Sequence, residues 1–220
     1  MTKINFFPIH WFGDRPSYEA SSLRVVTVGL NPSDREFRPN DATAISKDFR
    51  FPDFDGTDKG LTLALNNYFK HKPYNAWFKG SFTAVLQSFE ASFYEEAKNT
   101  AIHTDICSPW ATIPTWSKLP EKIRQELEIE GHELWKKLIL ELQPDVILFS
   151  SSPNHEQKID FPSPDKEWKS VDVGTKRMLL VRRFQINGKI TQVFFQVQGR
   201  KPFLQTSRMQ KLMFNQHIIK

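Results

Sequence analysis

Cysteine is nearly absent from this chain. Cys107 is the one cysteine in 220 residues, so no internal disulfide can form, and a reducing location such as the cytoplasm is expected. No apolar run reaches the roughly 20 residues of a membrane helix. Met1 to Pro8 carry no secretory cleavage pattern, so a soluble protein is expected. Glycine-rich signatures are missing too. The sequence contains no G-x-x-x-x-G-K-[ST], no G-x-G-x-x-G and no G-x-S-x-G, which removes the fingerprints of nucleotide-binding P-loops, dinucleotide sites and α/β-hydrolase elbows. None of the six histidines stands four residues from another. With a single cysteine, neither a zinc site nor an iron–sulfur cluster is expected, and no cofactor is assigned. Cys107 itself reads as a small buried hydrophobe rather than a nucleophile.

Acid is missing from the end of the chain. Val173 to Lys220 hold ten Lys and Arg and no Asp or Glu, leaving 20 basic and 25 acidic residues in the first 172. The net charge of +5 therefore comes wholly from the last fifth. A basic segment of this kind fits an anionic partner, most simply a phosphate backbone. The alternative is a solvated basic face without a partner.

What is present suffices for one folded unit. Apolar residues make up 39% and aromatic residues 13%, enough to fill the core of a single domain spanning 1–220. Short β-branched or apolar runs predict strands at Arg24–Gly29, Ala101–Ile106 and Asp145–Ser150. Two more, at Arg177–Phe184 and Lys189–Gln196, flank the hairpin signal Ile186-Asn187-Gly188. Helical spacing predicts helices over Leu61–Lys70, Tyr74–Phe93 and Pro120–Leu142, and a last one over Thr206–His217. On the third, Ile123, Leu127, Leu134, Leu138 and Leu142 should form the inner face. The order predicts an α/β fold of three layers, α/β/α, around a central, mainly parallel sheet. Ligands of such sheets bind at the carboxyl ends of the strands. The long Pro-rich loops after Gly29 and Ile106 begin there and should meet in one cleft.

Two segments carry the chemistry. In Gly29-Leu30-Asn31-Pro32-Ser33, proline fixes its own φ and forces Asn31 out of the helical region, so the Asn amide is presented on a rigid turn. In Ala101-Ile-His-Thr-Asp-Ile-Cys-Ser-Pro-Trp110, a strand ends at Asp105. Period two places His103 on the same face as Asp105, although a strand histidine is more often a satisfied core residue. Trp110 and Trp116 could shape a pocket or simply pack. Asp34, Asp53 and Asp55 could activate water or cap turns. His155 reads as surface polar.

Gly29 to Ser33 resembles the first motif of the uracil-DNA glycosylase superfamily, nearest its mismatch-specific and single-strand-selective branches. Asp105-Ile106-Cys107-Ser108-Pro109 resembles the segment that carries the family's base-reading side chain. Phe49-Arg-Phe-Pro-Asp-Phe-Asp-Gly56 resembles the loop that stacks on a flipped base, and Asp145 to Ser150 resembles the following core strand. The resemblance runs from about Arg24 to Phe203. It implies a uracil-DNA glycosylase-like domain, a monomer acting on DNA without metal. It assigns Asn31 to catalysis, holding the attacking water, and Asp105, Phe51 and Phe54 to the base. Ser33, Arg200, Lys201 and Arg208 would contact DNA.

The chain departs from that pattern twice. Where the family has Asn, this chain has Asp105. An ionised carboxylate only accepts hydrogen bonds, which suits a cytosine-like amino group better than a uracil carbonyl. A modified or damaged cytosine is therefore the expected base, with uracil second; the alternative is a loop-capping role for Asp105. The family's His-Pro-Ser loop is replaced by Gln198-Gly-Arg-Lys-Pro-Phe203. Arg200 or Lys201 could grip phosphate there or stabilise the leaving base, and the alternative is a plain basic turn. The expected reaction is hydrolysis of an N-glycosidic bond, in repair or in defence against phage with modified DNA. A non-catalytic DNA-binding module on the same fold is the alternative.

Overall fold

A computed structural model describes residues 2–3, 7–39, 45–46, 48–94, 96–171 and 179–197. The predicted helix over Thr206–His217, and with it Arg200, Lys201 and Arg208, lies outside the described residues. In chain order the elements are β1 (Thr2–Lys3), α1 (Arg15–Ala20), β2 (Val25–Gly29), α2 (Asp58–Asn66), α3 (Asn75–Ser81), α4 (Thr83–Gln87), β3 (Ala91–Ser92), β4 (Asn99–Asp105), β5 (Thr112–Ile113), α5 (Glu121–Leu142), β6 (Val146–Ser151), β7 (Lys169–Val171), β8 (Leu179–Ile186) and β9 (Lys189–Val197).

The fold is α/β. Seven strands form one sheet in the order β3-β4-β2-β6-β9-β8-β7. The first five are mutually parallel, and β8 and β7 add antiparallel strands at one edge. Every residue of β2 and β6 is buried, as expected for parallel strands covered on both faces. The two sides of β4 show that cover. His103 meets the rings of Phe78 and Phe82 from the α3–α4 region, while its neighbour Thr104 accepts a 3.0 Å hydrogen bond from the indole of Trp135 on α5. Adjacent strand residues point to opposite faces, so helices lie on both sides of the sheet. The hairpin between β8 and β9 turns at Asn187 and Gly188, both with positive φ, and pairs Ile186 with Lys189.

α5 differs from its predicted face. Leu127, Leu138 and Leu142 are buried as expected and Ile123 packs against the core partly buried, but Gly131, Trp135 and Ile139 complete the stripe and Leu134 does not join it. A Cβ at Gly131 would stand 2.2 Å from the Cys107 carbonyl oxygen, so glycine there lets the helix lie against the loop after β4. The predicted helix over Tyr74–Phe93 is two short helices broken at Phe82, with Ala91–Ser92 leaving to pair with β4. α1 was not predicted; it starts at Asp14, whose carboxylate accepts from Ser17 N–H. Among the described residues no helix is long and apolar enough to cross a membrane.

Candidate functional site

Register builds the site. Gly29 pairs with Asp105 and Val28 with Phe149, so the carboxyl ends of β4, β2 and β6 finish at one level. The chain leaves β2 to form β4 on one side and then crosses to form β6 on the other, so the topology switches between β2 and β6. That is where open α/β sheets bind ligands. The strand ladder extends into both loops, with Ile106 N–H donating to the Gly29 carbonyl and Cys107 N–H to that of Leu30. The loops after β2 and β4 therefore meet, and a cleft of about 390 Å³ opens above the strand ends.

Tyr74, Trp77 and Trp116 form aromatic wall, and Gly29, Asn31 and Asp105 lie at its base with Ser150. The Asn31 amide nitrogen donates to the Trp110 carbonyl at 3.2 Å and lies 3.4 Å from Thr112 Oγ1. Both contacts orient the amide, and its oxygen accepts no hydrogen bond among the described residues. Asp105 is 7% exposed. Its Oδ1 stands 3.7 Å from His103 Nε2, and its buried Oδ2 has no hydrogen-bond partner among the described residues. Thr27 Oγ1, 2.7 Å from His103 Nδ1, holds the ring by one nitrogen and leaves the other toward Asp105. Burial pushes the Asp105 carboxyl above its ordinary value, and the nearby imidazole offsets part of that rise. Ser150 Oγ is a second buried polar atom on this floor without a partner among the described residues. A Cβ on Gly29 would fall 2.4 Å from Asp105 Oδ1, so only glycine leaves room for the carboxylate.

Buried polar atoms without partners cost about 1–3 kcal/mol each, and in a cleft a ligand, ion or water can satisfy them. No family model, curated protein or solved structure matches the chain. The site is thus read from its own chemistry. Among the described residues no cluster of His, Cys, Asp and Glu could hold a metal ion.

The predicted residues divide. Asn31, Asp105 and Ser33 share the cleft, and Ser33 also caps the short 3-10 turn Asp34–Phe37 by accepting from Arg35 N–H. Phe51 requires a correction. It is fully buried, stacked at 5.6 Å on Phe37 and edge-on at 5.2 Å to Phe7, so its faces are spent in the core and it does not line the cleft. Phe54 is half-buried against Phe7 at 4.2 Å and likewise stands outside the lining. Asp53 binds Asn67 and His71, and Asp55 binds Thr57; neither reaches the cleft. Asp34 does, paired with Arg38. Cys107 is buried, and burial pushes its thiol up, away from nucleophilic use.

Other lining residues were not anticipated as site residues. Trp77 belongs to a helical apolar stripe that reads as core, yet its half-exposed ring faces the cleft. Ser151 ends β6 with its hydroxyl 2.6 Å from His155 Nδ1. His155 is half-buried, not a free surface residue, and desolvation by burial lowers its pKa. Glu36, an acid in a polar loop, is 2% exposed. Nothing near it in sequence signals burial, because its partners Tyr68 and Arg50 stand far along the chain.

Proposed function

We propose that this chain is a DNA glycosylase that flips a base from DNA into the cleft and hydrolyses its N-glycosidic bond, leaving an abasic site. The observation that carries the reading is the pairing of an orientationally fixed Asn31 amide with the unpartnered Asp105 Oδ2 across one cleft. The volume lies within the usual range for small-molecule pockets. Among the aromatic residues that line the cleft, Trp77 and Tyr74 are partly exposed, with the Arg50 guanidinium over the Tyr74 ring; stacking is worth about 1–3 kcal/mol per base. The uracil-DNA glycosylase type of α/β/α domain, and action as a cytoplasmic monomer, belong to the same proposal.

The residues divide the work. With its nitrogen engaged by Trp110, Asn31 has only its oxygen to offer, and that oxygen holds the attacking water through one of its protons. Asn is no strong base, so its contribution is position and orientation. As the glycosidic bond breaks, positive charge grows on the sugar and negative charge on the base. Asp105 reads the base edge. Ionised, Oδ2 accepts from an exocyclic amino group; protonated, it donates to a carbonyl. A modified or damaged cytosine-like base is the first choice, fitting the ionised form, and uracil the second, fitting the neutral one. Trp77 and Tyr74 replace Phe51 and Phe54 as the stacking surface. The basic last fifth of the sequence supplies phosphate contacts.

The test is a panel of labelled single- and double-stranded oligonucleotides carrying uracil, cytosine and modified cytosines, assayed for alkali-labile sites. The reading expects release of at least one base. Salt-sensitive DNA binding with no release from any member would instead indicate a binding module on the same fold.

A further inference from the structure

Glu36 sits on the 3-10 turn Asp34–Phe37, inside the loop that leaves β2. It lines the cleft although almost wholly buried. One of its oxygens is committed. Tyr68 Oη donates to Glu36 Oε2 at 2.6 Å and accepts the Tyr74 N–H at 2.9 Å. Arg50 Nε lies 3.6 Å from the same oxygen. Oε1 makes no hydrogen bond among the described residues. A proton carried by Glu36 therefore belongs on Oε1.

We infer that Glu36 is a second base-contacting group of the cleft, its Oε1–H donating a hydrogen bond to an acceptor atom of the bound base and stabilising the negative charge that grows there as the base leaves. The inference rests on the glycosylase reading and gives the cleft a donor that the carboxylate form of Asp105 cannot provide. A neutral acid in a dry pocket is an established way to meet a developing anion. The surroundings favour it. The Glu36 carboxyl is raised from 4.5 to about 8: desolvation by burial is the main cause, the Tyr68 hydrogen bond and the Arg50 charge oppose it, and the Asp105 charge adds to it. His103 also lines the cleft, with its Nε2 3.7 Å from Asp105 Oδ1, and Asp34 on the same turn is held by Arg38.

The experiment follows base release against pH for the wild-type chain, Glu36→Gln and Glu36→Leu, on whichever oligonucleotide is cleaved. Gln keeps an oxygen for Tyr68 and turns an N–H toward the cleft. The wild-type rate is expected to fall about tenfold from its neutral plateau by pH 9, as the acid loses its proton. Glu36→Leu should lose on the order of 100-fold at pH 7. Glu36→Gln should recover most of that loss and show no such alkaline limb. An unchanged limb in Glu36→Gln, or full activity in Glu36→Leu, overturns the inference while leaving the glycosylase reading intact. A parallel measurement separates the two ideas: the ¹³C-carboxyl resonance of Glu36 is titrated with and without free uracil or free cytosine. A resonance that moves with either base supports the inference even if no oligonucleotide is cleaved. One that ignores both bases in a chain without turnover overturns it.

Discussion

Replacing Glu36 by Gln should change how the stability of this protein depends on pH. The carboxyl ionises near 4.5 in the unfolded chain and at about 8 in the folded one. Between those values the native state holds a proton that the unfolded state has released. Stability therefore falls as pH rises through that window, by about 1.4 kcal/mol per pH unit from this group alone. Across the full window the loss approaches roughly 5 kcal/mol as a ceiling, a large part of the 5–15 kcal/mol of a typical domain. Below 4.5 and above 8 the contribution is flat. Gln preserves the acceptor for Tyr68 and cannot ionise. Wild type and Glu36→Gln should thus unfold at similar urea concentrations at pH 5, and wild type should lag by several kcal/mol at pH 9. Asp105 and every other acid remain in both proteins, so the difference between the curves isolates Glu36. Urea titrations followed by tryptophan fluorescence at five pH values, with unchanged m, provide the comparison. Parallel curves from pH 5 to 9 would refute a buried, proton-holding Glu36.

Three further outcomes follow from the geometry. Because burial raises the Asp105 carboxyl, its neutral fraction grows as pH falls; the ratio of uracil to cytosine-like base release should rise with acidity, and Asp105→Asn should hold that ratio high at every pH in competition assays. Trp77→Ala should weaken binding of single-stranded oligonucleotides by about 1–3 kcal/mol, measured by fluorescence anisotropy, and should also lower the melting temperature, because the ring packs on Phe82. Gly131→Ala improves helix propensity by about 1 kcal/mol, yet its Cβ would meet the Cys107 carbonyl at 2.2 Å; a net loss of about 1–3 kcal/mol should appear in calorimetry.

Much of this architecture is legible in the sequence because parallel strands buried on both faces leave continuous apolar runs. Val25 to Val28 and Val146 to Phe149 are such runs, and Asn187-Gly188 marks the hairpin directly. The meeting of the two loops follows from strand ends and the switch in strand order. Loop aromatics are different. Nothing in Phe49 to Gly56 tells whether a ring turns inward, and Phe51 does so because Phe7, Phe12, Phe37 and Tyr68 enclose it. Trp77 shows the reverse, since a helical stripe cannot reveal that one turn of it borders a cleft. Short edge strands such as β3 and β7 have too few residues to show alternation. Glu36 was illegible for a third reason: an acid in a polar loop reads as solvated, and the hydroxyl and guanidinium that receive it come from Tyr68 and Arg50.

In the proposed reaction Asn31 positions water for hydrolysis on a base held in this cleft. Asn31→Ala measures it directly, with single-turnover base release and DNA binding recorded on the same preparation. The release rate should fall at least about 100-fold, the scale expected when a positioning contact is lost, with affinity within a few fold of wild type. Base release that survives Asn31→Ala at the wild-type rate would contradict it.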